Sequence, residues 1–176
     1  MTSCKYIFFI SLILTVGTTS AQQLSSERLD TTISIFWNPN LKVRVKILDP
    51  EEPDDQKKNT VLTFFSLVQG SQRILFQDSI FAYTLLFKIM DIDGDGIRDL
   101  LVYNTNNGPE NRSYHLYLVD QKVGRLTRVK SFEKVFNPYY DQSLCMLLGC
   151  EFFEGKMVIH NYSVDRKGTL SRTTWR

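Results

Sequence analysis

The sequence predicts an all-β protein, an antiparallel sandwich or propeller-like single domain. Leu41, Val43, Val45 and Ile47 alternate with Lys42, Arg44 and Lys46, a period of two that gives one apolar and one charged face. Similar short segments rich in β-branched and aromatic residues recur to the end of the chain, separated by turn residues such as Gln69-Gly70-Ser71, Val123-Gly124, Glu154-Gly155 and Lys167-Gly168. No stretch combines sustained helical periodicity with caps.

Residues 1–21 read as a signal peptide: Lys5 precedes an apolar run from Tyr6 to Val16, and Thr19-Ser20-Ala21 offers small residues for cleavage before Gln22. The run falls short of the about 20 apolar residues that a membrane span needs, so the mature chain is expected to have no span. Cys4 lies before the run and leaves with the peptide. The expected location is outside the cytoplasm, periplasmic or extracellular. What remains, residues 22–176, is 155 residues long and suits one domain. Lys5 is the only charge removed, so 20 basic and 19 acidic side chains are left. That balance gives no support to nucleic-acid binding.

The expected strands, in order, are Thr32 to Trp37, Leu41 to Ile47, Val61 to Val68, Arg73 to Gln77, Thr84 to Met90, Leu100 to Asn104, Tyr114 to Val119, Leu126 to Val129, Met157 to Val164 and Thr169 to Trp175. The stretch from Asp49 to Asp55, with five acids and two prolines, is expected to be a solvated loop, with a second cation site as the alternative that the interrupting prolines and the lack of a glycine disfavour. The stripe Lys42, Arg44 and Lys46 reads as a solvated sheet face or the guard of an edge strand, with an acidic partner as the alternative. Cys145 and Cys150 remain after export and meet an oxidising environment. On a regular strand they point to opposite faces about 16 Å apart, too far for a disulfide; a turn at Leu148-Gly149 would bring them together. Without a bridge they read as two buried small apolar residues. Asn111-Arg112-Ser113 and Asn161-Tyr162-Ser163 are glycosylation sequons, relevant only in a host that glycosylates.

The most informative segment is Asp91-Ile92-Asp93-Gly94-Asp95-Gly96-Ile97-Arg98-Asp99. Its acids occupy loop positions 1, 3, 5 and 9, the Ile97 carbonyl falls at position 7, and Gly96 stands at position 6, where such a loop turns sharply. Calcium takes six to eight oxygens, so four carboxylates and a carbonyl on one short loop fit a calcium ion. A helical EF-hand would need a bidentate Glu at position 12, and that residue is Val102. Strand-like flanks on both sides make the loop a hairpin connection, with Asp99 as the closing ligand. The expected ligands are therefore Asp91, Asp93, Asp95, Ile97 and Asp99. Since no nucleophile or base accompanies them, the ion is expected to be a structural clamp.

From Phe87 to Val102 the chain resembles the calcium hairpins of the FG-GAP and VCBS repeats of integrin-type propellers. A full propeller needs at least about four blades of 40 or more residues, which this chain is too short to supply. A broader likeness, over roughly Leu85 to Trp175, is to a bacterial envelope family of small β proteins with one calcium hairpin. That family is typified by a periplasmic immunity protein that inhibits a peptidoglycan hydrolase delivered by a type IV secretion system, with a fold similar to periplasmic lysozyme inhibitors. Besides the loop, the likeness rests on Tyr114-His115-Leu116-Tyr117-Leu118, on the turn from Phe136 to Asp141, and on a closing pair of strands. The inhibitory loop motif that such lysozyme inhibitors insert into a catalytic cleft has no counterpart here. The resemblance implies a protein partner in the cell envelope, a cell-wall hydrolase; a glycan is the alternative partner, for a carbohydrate-binding or adhesion module.

An enzyme is not expected. His115 and His160 sit in apolar strand contexts, and no serine-nucleophile, zinc-spacing or phosphate-loop motif accompanies them. Binding surfaces are better candidates: the polar loop from Asn104 to Arg112, and the aromatic turn residues Tyr139 and Tyr140 beside Pro138.

Overall fold

The computed structural model describes residues 30–48, 57–106 and 110–173; the signal-peptide segment, the acidic stretch from Asp49 to Asp55, the centre of the loop after Asn106 and Trp175 lie outside them. Among the described residues twelve strands form three four-stranded antiparallel sheets, each built from consecutive strands. The first sheet holds β1 (Asp30–Ile33), β2 (Leu41–Ile47), β3 (Thr60–Val68) and β4 (Ser71–Ile80). The second holds β5 (Phe87–Met90), β6 (Asp99–Asn106), β7 (Arg112–Asp120) and β8 (Arg125–Val129). The third holds β9 (Tyr139–Asp141), β10 (Met146–Phe153), β11 (Lys156–Val164) and β12 (Leu170–Thr173). Among the described residues no helix is long and apolar enough to cross a membrane.

Local chemistry explains the tight connections. Val68 pairs with Ser71 and Phe153 with Lys156, so each hairpin closes through two residues. Gln69-Gly70 and Glu154-Gly155 all have positive φ, the pair of left-handed residues that matches the twist of adjoining strands. β2 follows its alternation: Leu41, Val43, Val45 and Ile47 are buried. Its charged residues turn to the other face, where Arg44 forms a two-bonded pair with Asp30, and Lys42 donates to Ser34 at 2.6 Å. Because β2 lies between β1 and β3, the stripe is a sheet face and not an edge guard.

The middle sheet is covered on both sides. Leu100 and Val102 of β6, with Tyr117 and Val119 of β7, join Val43, Val45, Leu62 and Phe64 in one core against the first sheet. Leu101, Tyr103, Tyr114, Leu116 and Leu118 point the other way, into a second core with Phe132, Val135 and Leu147. Seven consecutive residues of β7 are therefore buried, and no polar alternation is possible there.

Polar side chains cross the first core boundary in one connected set. The Tyr117 hydroxyl donates to Asp78 at 2.9 Å, Arg128 donates to the same Asp78 oxygen at 2.8 Å, and Arg128 also reaches His115 Nδ1 at 3.4 Å. His115 Nε2 lies 2.9 Å from the Phe81 carbonyl and so carries the proton. Burial and the nearby Arg128 lower the His115 pKa, which suits this neutral tautomer.

Several expectations need correction. β1 ends at Ile33 rather than Trp37, and β5 starts at Phe87 rather than Thr84. β9 and β10 were not among the expected strands, and Tyr139-Tyr140, expected in a turn, form β9. Leu148 and Gly149 lie inside β10 and make no turn, and Cys145 and Cys150 are free thiols; neither is buried as expected, Cys145 being exposed and Cys150 half-buried.

Leu100 and Leu101 are both fully shielded but serve different cores. Leu100→Ala and Leu101→Ala should each cost about 2–5 kcal/mol in urea unfolding. A Leu101→Ala change below about 0.5 kcal/mol would mean that the third sheet does not close over that face.

Candidate metal centre

Met90 pairs with Asp99, and the residues between them form the connection from β5 to β6. The loop is organised by its own carboxylates. Asp91 accepts the N–H groups of Gly94 at 2.7 Å and Gly96 at 3.0 Å, one on each oxygen. Asp93 accepts from Asp95 N–H at 3.2 Å, and Asp95 from Ile97 N–H at 2.7 Å. These short-range bonds fold the segment into successive aspartate turns. Gly94 and Gly96 take φ of 76° and 83°, a backbone that side chains other than glycine adopt at a cost.

Asp99 ties the loop to the sheet. Its Oδ2 accepts Ile92 N–H at 3.1 Å and its Oδ1 accepts Val119 N–H of β7 at 2.9 Å. Meanwhile Ile92 is buried in the second core and Ile97 packs against the first. The loop is thus fastened by hydrogen bonds at its base and by one isoleucine on each side of the middle sheet.

Asp91, Asp93 and Asp99 each bring a carboxylate oxygen to within 4.8 Å of the others. Asp95 stands outside this trio on the exposed side of the loop, and Ile97 is half-buried. Asp99 is only 1% exposed. Burial pushes its carboxyl up to about 7 despite the two N–H donors, and the charges of Asp93 and Asp95 push the same way. Asp93 is also raised, by burial first and then by Asp95. Among the described residues no arginine forms an ion pair with these carboxylates. The trio is a concentration of negative charge, all of it on hard oxygen ligands, and its donor set fits a divalent cation.

Tyr140 closes over the loop from the third sheet. A Cβ built on Gly94 would lie 2.0 Å from the Tyr140 hydroxyl oxygen, so only glycine admits that ring. Sequence reasoning identified Gly96 as the necessary glycine, yet a Cβ there meets nothing within 4 Å. The role of Gly94 depends on a residue 46 positions away, for which the loop itself carries no signal.

The other candidates fall into structural places. His160 is held between Arg172, at 2.6 Å from its Nδ1, and Glu151, at 3.4 Å from its Nε2. Asn111, the first sequon asparagine, is buried and pairs with Phe152 in both directions, Nδ2 donating to the carbonyl and Oδ1 accepting the N–H, each at 2.8 Å. Its amide nitrogen is engaged and shielded, so the folded protein offers it poorly to a glycosyl donor. Asn137, beside Pro138, donates to the carbonyls of Glu110 and Cys150 at 2.8 and 2.9 Å and holds β10 against the start of β7.

The Gly94–Tyr140 contact predicts an asymmetry between the two loop glycines. Gly94→Ala should cost about 1–3 kcal/mol more than Gly96→Ala in urea unfolding, because both accept backbone strain but only one forces the ring away. In a Tyr140→Ala background the two alanine variants should converge to within about 0.5 kcal/mol. An unchanged gap in that background would remove Tyr140 as its cause.

No family model, no curated protein and no solved structure matches this chain.

Proposed function

We propose that this protein is an exported, calcium-stapled β scaffold whose work is binding rather than catalysis, with an envelope protein of the cell-wall-hydrolase class as its partner. The observation that carries the calcium part is the carboxylate trio Asp91, Asp93 and Asp99, with oxygens within 4.8 Å of one another and Asp99 buried. Calcium suits three converging carboxylates better than magnesium, which keeps several waters and uses one or two carboxylates. Asp95 and the Ile97 carbonyl, on the same loop, are the next oxygens to extend the shell. Bound there, the ion neutralises charge that otherwise opposes folding. It also braces a loop that reaches both cores.

The binding part is supported by the β10–β11 hairpin, where exposed apolar side chains gather on both faces, Phe152, Met157 and Ile159 on one and Phe153 and Val158 on the other. Such clusters rarely persist on a soluble surface without a partner. The likeness to periplasmic immunity proteins supplies the partner class. A second reading, a carbohydrate-binding module, is favoured by Trp37, which is 78% exposed beside the metal loop. Inhibition of a purified wall hydrolase, lost on Phe153→Asp with the fold intact, would support the first reading. Retention on wall glycan without inhibition would support the second and sink the first.

Calcium should raise the melting temperature and chelator should lower it, and terbium should luminesce in the same site. Asp93→Ala should abolish both effects, whereas Asp95→Ala should weaken affinity by about tenfold. An unchanged melting temperature with calcium and with chelator would sink the staple.

The chelated protein should also lose stability as pH rises. Asp99 has a folded value of about 7 against the ordinary 3.8, so the native state holds the extra proton and stability falls between about pH 4 and pH 7. His115 works in the opposite direction near its ordinary 6.5, because it is buried neutral. Asp93, raised by burial, acts in the same direction as Asp99 and is present in both proteins compared below, while Asp30, Asp141 and Asp165 are lowered and titrate below the window. The Asp99 contribution is therefore isolated by comparison with Asp99→Asn, which forfeits one backbone bond at every pH but cannot titrate. In chelator, the wild-type protein should lose stability relative to Asp99→Asn from pH 4 to pH 7, and saturating calcium should abolish that loss. A pH-independent difference in chelator would contradict the raised carboxyl.

A further inference from the structure

Beside the metal loop lies a cleft of about 370 Å³ whose walls come from all three sheets. Trp37 belongs to the connection between β1 and β2; Asp93 and Asp95 belong to the metal loop; Lys122 and Arg125 lie at the β7–β8 turn; Arg166 sits on the β11–β12 turn. We propose that this cleft is a binding site for a small saccharide bearing a carboxylate. The site is lined by none of the apolar hairpin residues, so it goes beyond the protein-docking reading. It deepens the carbohydrate reading and borrows from the calcium reading only what the ion adds.

The walls are held in place, not merely exposed. Trp37 N–H donates to Gln121 Oε1 at 2.9 Å, and Gln121 Nε2 donates to the Ile35 carbonyl at 2.8 Å. That bridge fixes the backbone from which the indole projects. On the opposite wall, Asp165 Oδ1 accepts the N–H groups of Lys167 and Thr169 at 2.9 and 2.8 Å, and Lys130 N–H reaches the Gly168 carbonyl at 3.3 Å. Gly168, with φ of 79°, lies so close to β8 that a Cβ would stand 2.5 Å from the Arg128 carbonyl oxygen. Arg166 is therefore carried by a pinned turn. Neither it nor Lys122 forms an ion pair among the described residues, and Arg125 reaches Asp120 only at 3.9 Å. Two uncommitted cations and a weakly committed third face the same space.

These groups select a chemistry. A guanidinium offers paired donors that match a carboxylate in plane. A flat, exposed indole offers an apolar face to the C–H side of a sugar ring, while Asp95 and Asp120 accept from hydroxyls. A more highly charged anion, such as phosphate, meets those same carboxylates as repulsion. Asp93 belongs both to the carboxylate trio and to the cleft wall, so a cation held there borders the ligand. The chain supplies fewer oxygens from its trio than the six to eight calcium takes, which leaves room for a ligand oxygen.

The test uses the calcium-saturated full protein, with glucuronic acid, glucose and inorganic phosphate as probes, read by calorimetry and tryptophan fluorescence. Glucuronate should bind at least about tenfold more tightly than glucose or phosphate. Arg166→Ala should weaken glucuronate by about tenfold or more, and Trp37→Ala should remove the fluorescence response, both with the calcium-induced rise in melting temperature unchanged. Equal affinity for glucuronate and glucose, equal or tighter binding of phosphate, or indifference to both substitutions would overturn the site. Should calcium leave the melting temperature unmoved while glucuronate still binds through Arg166, the metal reading fails and the cleft stands.

Discussion

The Asp99 carboxylate is the constraint on which the architecture turns. With one oxygen on Ile92 N–H and the other on Val119 N–H, it joins the base of the β5–β6 loop to β7, an inner strand of the middle sheet. Both N–H groups lose water in the folded state, and leaving either unpaired would cost about 1–3 kcal/mol. A neutral side chain cannot accept at both places so directly, so an acid is required where an acid is least soluble. The fold has built a charge into its interior, and the loop's other acids deepen that charge. A cation would resolve the conflict better than protonation, because it turns no carboxylate oxygen into a donor facing the Ile92 and Val119 N–H groups.

This constraint reaches all three sheets through packing. Ile92 and Ile97 leave the loop on opposite sides and enter different cores, so displacement of the loop disturbs both. Tyr140 lays its ring on Gly94 from β9, which pairs with β10, and β10 is held in turn by Asn137 and by the close seating of Gly149 against Val135. Few of these contacts are strong alone. Their shared dependence on one loop geometry makes the loop a staple and not an appendage.

How legible this was depended on range. β2 could be read residue by residue because one face is buried and the other wet, and the acids of the loop could be counted because their spacing is local. β7 is buried on both faces, so its type was readable from composition, but not which residue enters which core. β9 and β10 were missed for physical reasons: Pro138 and Asn137 advertise a turn, and Gly149 interrupts what would otherwise read as a strand. Gly149 is there because a Cβ would meet Val135 at 2.8 Å, a contact between segments that sequence spacing does not relate. At the centre itself, position counting identified the converging trio but gave Asp95 equal standing, since in sequence nothing separates an inward acid from an outward one. The cysteines show the same limit: their fate rested on whether Leu148-Gly149 turns, and strand pairing with β11 decides that it does not.

The cleft follows from the same convergence. Strand order alone would leave each sheet with its own turns at its own end, and no turn contains a binding site. Because the staple draws three sheets to one point, a tryptophan from the first, the metal loop of the second and an arginine turn of the third share a single hollow. None of these residues forms a motif with another in the sequence. The lowered freedom of each wall, through Gln121 behind Trp37 and Asp165 beneath Arg166, is the preorganisation that the proposed ligand site would draw on. The structural role of the loop and the recognition role proposed for the cleft thus trace to one placement of negative charge.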